Sequence, residues 1–236
     1  MKVSIAAVIA FALPLSGCGQ SESNTPERSS TKAASPPAPS SNVDPYETLV
    51  PLLVEAIPKA VAATKPSSPI CIVRLYFYDT SAPSTYLALV TVSANCRYEV
   101  VKTQGKDAPF YIWDSGEECG DGSVLFPPDN PVTTSDIQIA ELFEQVYASL
   151  SEDGHEDENM VRFRDMLRDV SVTLNGIDWA EHCAVTDDFV VAPADGSMHF
   201  GGEFQEDMAH SIPADRIALL RSRHFLGPEE SWDQLP

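Results

Sequence analysis

The run ICIVRLYFYD at residues 70–79 narrows the fold more than any other stretch. β-Branched and aromatic residues alternate there with a period of two, the pattern of a strand that uses both faces. Cys71, Val73, Leu75 and Phe77 fall on one face, and Ile72, Tyr76 and Tyr78 share the other with Arg74. Turn-forming residues occupy 80–84, and a second β-rich run follows over 85–93, so the pair is expected to form a hairpin. Setting Asp79 against Thr85 places Leu75 opposite Leu89 and Phe77 opposite Leu87, one continuous apolar face. The same register sets Cys71 opposite Ser93, three residues short of Cys96, so a bridge between the two cysteines needs the second strand to bulge or turn back.

Helical signals surround this hairpin. Asp44, Pro45 and Glu47 supply a cap, a first-turn proline and an acidic first turn. Leu49, Leu52, Leu53, Ala56, Ile57, Ala60 and Val61 then recur at helical spacing to about residue 63, with Pro51 and Pro58 expected to kink or break the helix. Residues 98–101 and 109–113 read as short strands, and 114–131 as a Gly- and Pro-rich structural loop without calcium-loop spacing. Ser135 with Gln138 marks a capping box for a helix over 135–150, carrying Ile139, Phe143, Val146 and Leu150 inward. A further helix over 157–173 turns Met160, Phe163, Leu167 and Val170 inward. Arg162, Arg164 and Arg168 then alternate with Asp165 and Asp169 on a salt-bridged outer face. Asn175-Gly176 stops it, 188–192 reads as a strand ended by Pro193, and Ser211 caps a last helix over 212–225. The expected architecture is α+β, a mainly antiparallel sheet with helices on one or both faces, in a single domain over residues 44–236.

Ahead of that domain the chain changes character twice. Lys2 precedes an apolar run from Val3 to Leu13, too short to span a bilayer, and Leu15-Ser16-Gly17-Cys18 closes it with small residues before a cysteine. This ending resembles the lipobox of bacterial lipoproteins. The resemblance covers less than a tenth of the chain. It implies that residues 1–17 are a signal peptide removed in the mature protein, that Cys18 is the lipidated first residue, and that the protein lives in the bacterial envelope. Gly19 stands where an aspartate would imply inner-membrane retention, which points to the outer membrane. Residues 19–43 are Ser, Pro, Thr and Ala with isolated charges, a tether unable to bury surface and spanning about 30 Å as a coil.

Charge bounds the partners. The chain carries 35 acidic and 15 basic residues, a formal net charge of −20, which repels phosphate backbones and anionic headgroups. Nucleic acid is excluded as a partner, membrane contact falls to the lipid, and a protein partner should present a basic surface. With Cys18 set apart, Cys71, Cys96, Cys119 and Cys183 form an even set of disulfide candidates for an oxidising compartment, with three connectivities open. Their spacing gives no zinc site, and no cofactor or metal is expected.

Catalytic signatures are sparse. Asp178, His182, Cys183, Asp187 and Asp188 cluster in sequence. Yet His182 and Cys183 are neighbours whose side chains point opposite ways in extended chain, which weakens a nucleophile–base pair. No HExxH, Gly-x-Ser-x-Gly, P-loop or GxGxxG occurs. The acidic run 151–159 around His155 reads as a solvated connector. The leading expectation is a membrane-tethered accessory or immunity-like protein that acts by binding, with an envelope hydrolase built around 178–188 as the rival. Mass spectrometry of the native protein should find residues 1–17 absent and Cys18 acylated; an intact, unmodified amino terminus would remove the envelope assignment.

Overall fold

The computed structural model describes residues 44–77, 87–113, 122–126, 128, 133–150, 154–195 and 202–226. Cys18, the tether, the 80–84 turn, Cys119 and the terminal tail lie outside the described residues, as do parts of the 114–131 loop and of the acidic run. In chain order the elements are α1 (Pro45–Ala63), β1 (Ile70–Phe77), β2 (Leu87–Ser93), α2 (Ala94–Gln104) and α3 (Ala108–Trp113). Then come β3 (Gly122–Phe126), α4 (Thr134–Leu150), α5 (Glu156–Asn175), β4 (Val185–Asp195), α6 (Gly202–Ser211) and α7 (Ala214–Ser222).

The fold is α+β around a four-stranded sheet of order β3-β2-β1-β4. β1–β2 and β2–β3 pair antiparallel, but β4 runs parallel to β1, so the sheet is mixed. A parallel pairing needs a long crossover, and the chain from β2 through α5 supplies one. β4 also reads as a parallel strand should, an apolar run FVVAPA buried on both sides. It continues through Pro193 to Asp195 instead of stopping at the proline. As the outermost described strand it tolerates the missing N–H on its far side.

Helices cover both faces. On one, α1, α4 and α5 bury Leu49, Leu53, Ile57, Phe143, Phe163 and Leu167 against Val73, Leu75, Leu89 and Val191. On the other, α2, α3, α6 and α7 bury Val100, Ile112, Trp113, Phe204 and Leu220 against Ile72, Val92, Val190 and Ala192. The hairpin register agrees with the alternation, with Leu75 opposite Leu89, but a bulge interrupts β1 between Ile70 and Ile72. Ile70, not Cys71, lies opposite Ser93. The extra residue reverses the facing of everything before it, so Cys71 leaves the face of Val73 and joins Ile72 in the second layer.

Several local expectations change. α1 is one continuous helix despite Pro51 and Pro58, because its buried face of Tyr46, Leu49, Leu53, Ile57 and Val61 offsets the lost hydrogen bonds. Its start is as expected, with Asp44 accepting from the Tyr46 N–H at 3.0 Å. Residues 98–101 and 109–113 are helical, in α2 and α3. Ser93 decides the first of these by capping the Cys96 N–H at 3.2 Å. The capping box of α4 is Thr133 with Asp136, each side chain accepting from the other's backbone N–H at 3.0 Å, two residues ahead of Ser135. Ser211 ends α6 rather than starting a helix, and α7 follows Pro213.

Asn175 does more than end α5. Its amide donates to the carbonyls of Val191 and Ser211 and accepts from the Val191 N–H, each at 2.8 Å. The outer rim of β4 and the end of α6 are thereby held by one side chain. Replacing Asn175 by Ala leaves Val191 with two unmet backbone groups, and urea denaturation should show a loss of about 2–4 kcal/mol. Asn175→Asp, which keeps the acceptor and loses both donors, should cost less than Ala at neutral pH only if the Val191 N–H bond dominates.

Candidate functional site

The residues grouped by sequence around 178–188 do not converge. Asp178 caps a short 3-10 turn, Trp179–Glu181, by accepting from the Ala180 N–H at 3.0 Å. His182 is exposed, its ring edge-on to Trp179 at 6.2 Å between centroids. Cys183 is half-buried against the layer of α1, α4 and α5, and burial pushes its thiol above the usual range. Asp188 points to the opposite side of the sheet. It is fully buried, accepts from Arg97 of α2 at 3.0 Å and from the Thr186 hydroxyl at 2.5 Å, and lies 2.9 Å from the Arg223 guanidinium. Asp187 meets Arg223 through two hydrogen bonds of 2.6 Å, which hold its carboxyl down at about 2. These carboxylates are ion-pair partners that lock α2 and the segment after α7 onto β4. Arg97 also lies over the Phe225 ring at 3.9 Å, and the Trp113 indole donates to the Phe225 carbonyl at 2.8 Å.

A different surface has the properties of a contact site, the outer stripe of α5. Glu158, Val161, Asp165, Asp169 and Val172 recur at three- and four-residue spacing, so they line one side of the helix over about 21 Å. Val161 is 57% exposed and Val172 45%, two β-branched side chains left in water with carboxylates between them. The inward arc of the same helix carries Phe163, Met166, Leu167, Val170 and Leu174, so the stripe is not needed for the core.

Two of the three arginines of α5 turn away from this stripe, and the third divides itself between the stripe and α6. Arg162 pairs with Asp44 at 2.5 Å and stacks on the Tyr46 ring at 4.4 Å, towards α1. Arg164 is buried and not on the outer face, reaching Asp207 at 3.5 Å and Asp195 at 3.7 Å. Arg168 bonds Asp207 at 2.7 Å and Asp165 at 2.9 Å. Burial dominates Asp207 and raises its carboxyl despite both arginines. The helix keeps one bridge of the expected salt-bridged face, Arg168 to Asp165, while Arg162 turns to α1 and Arg164 to α6 and β4. Carboxylates and valines remain outermost.

His155 sits at the head of α5, exposed and 3.4 Å from Glu158. Among the described residues no group of His, Cys, Asp or Glu is arranged to hold a metal ion. Among the described residues no disulfide joins Cys71, Cys96 and Cys183 to one another. Of the stripe, sequence periodicity picked out Asp165 and Asp169 but not the two valines, whose signal was their place on the polar arc.

Asp188 sets the acid response of this region. Its burial favours the neutral form, but Arg97, Thr186 and Arg223 outweigh that and hold the carboxyl below its usual value. A folded-state value below the unfolded one gives stability that is present above the unfolded value and lost as pH falls through the folded one. Asp188→Asn should thus cost about 3–5 kcal/mol at neutral pH. The gap from the parent protein should close as thermal melts are taken below about pH 4.

No protein-family model matches the chain, and no curated protein or solved structure matches it either.

Proposed function

We propose that the chain is a lipid-anchored accessory protein of the bacterial envelope, working by binding a protein whose surface is basic and partly apolar. An immunity-type inhibitor of a basic toxin is one concrete form. The observation that carries the reading is the outer stripe of α5, where Val161 and Val172 stand exposed beside Glu158, Asp165 and Asp169. Apolar side chains left in water beside like charges suit a partner that brings both apolar surface and the opposite charge.

Electrostatics support it. The chain has a net charge of −20, and Arg97, Arg162, Arg164, Arg168 and Arg223 are all engaged by carboxylates of the same fold. The excess of acid therefore faces outward as a steering field for a cationic partner. The lipobox-like amino terminus and the tether of residues 19–43 supply an anchor with a reach of about 30 Å. The anchor is needed only to place the domain, and the stripe is what would select its partner.

In-cell cross-linking from a photoreactive residue placed at Val172 should trap a basic protein. The double charge reversal Asp165→Lys with Asp169→Lys should weaken capture at least 10-fold while leaving the melting temperature within a few degrees. Capture by the parent should fall as salt rises, the signature of charge steering. A clean monomer with no cross-link at any salt concentration would overturn the reading.

A further inference from the structure

We propose that Cys71 and Cys96 join as a disulfide that clasps the start of β1 to the first turn of α2. The bulge in β1 is the first observation. It moves Cys71 into the layer where Cys96 packs, so both thiols lie on one side of the sheet. The second is backbone geometry. Ile70 pairs with Ser93, and the Ala94 N–H donates to the Pro69 carbonyl at 2.8 Å, so the strand entrance and the β2–α2 junction run side by side. Cys71 is one residue beyond the first contact, and Cys96 lies within one helical turn of the second.

The thiol of Cys71 also points the right way. Its Sγ donates to the Val92 carbonyl at 3.1 Å, towards the junction from which α2 departs. Arg97 and Cys96 both lie near enough to act on its ionisation. Cys183 packs against the layer on the other face, so the sheet separates it from this pair. Of the three described cysteines, only Cys71 and Cys96 share a layer.

The chemistry needs an external disulfide as oxidant. Cys96 is half-buried, and as thiolate it attacks that disulfide, forming a mixed disulfide and releasing one thiolate. Cys71, once deprotonated, attacks the Cys96 sulfur and releases the second. Two protons and two electrons leave the cysteine pair, and the oxidant departs as two thiols. Burial pushes the Cys71 thiol up to about 12, so the second step is slow in the packed protein and fast while the layer is still open during folding.

The clasp rests on the envelope reading only for its oxidising surroundings, and the experiment separates the two. The full chain is reduced, unfolded and refolded in oxidised glutathione, then alkylated and cut with trypsin. Arg74, Arg97 and the neighbouring basic residues place the four cysteines of the domain on four different peptides. The expected product links residues 60–74 to residues 75–97 and disappears on reduction. The oxidised protein should melt about 5–10 °C above the same sample with reductant, and Cys96→Ser should abolish that difference. Refolded protein with both thiols alkylated, or Cys71 or Cys96 linked elsewhere, overturns the clasp. A link made in the tube but absent from protein taken from cells leaves the geometry standing and removes the envelope address instead.

Discussion

The structure depends on β1 being buried on both faces. A strand with Val73 and Leu75 in one helical layer and Ile72 in the other demands that each side be covered, and the described residues supply three helices to one and four to the other. Burial on both sides also admits charges into the interior, and these must be paired there. Arg74 is fully buried on β1 and donates to the Trp113 carbonyl at 3.2 Å. Asp188 on β4 is fully buried and holds Arg97. Each pairing fixes a covering helix at a definite place, because moving it would strand a charge without water.

The same pairing shapes the exterior. An arginine that reaches inward or sideways to a buried carboxylate is subtracted from the surface. Arg164 and Arg168 both converge on Asp207, a residue without solvent exposure, which binds α6 to α5. The surface around α5 is therefore more acidic than the alternation of Arg and Asp in its sequence implies. Internal architecture and external field share one cause.

How much of this was legible in the sequence depends on whether the signal was local. Alternation over 70–79 gave the hairpin and the Leu75–Leu89 pairing, since a period of two carries its own register. The bulge at Cys71 was not legible, because an inserted residue leaves no mark in hydrophobicity. Residues 98–101 and 109–113 looked like strands from their β-branched and aromatic content. A cap at Ser93 and packing against the second layer won over propensity. α6 escaped notice because Phe204 and Met208 are its only described core positions, too few to show a helical period. The stripe on α5 was half visible. Its acids were plain, but that Arg162 and Arg164 would turn to other partners depended on Asp44, Asp195 and Asp207, far away in sequence.

The Asn175 amide has one more consequence. A strand at the rim of a sheet is a template on which a neighbouring copy can assemble, and risk grows with crowding. By occupying both the N–H and the carbonyl of Val191, a single side chain takes the place that a foreign backbone would occupy. A rim plugged in this way keeps a neighbouring copy from adding its own strand there.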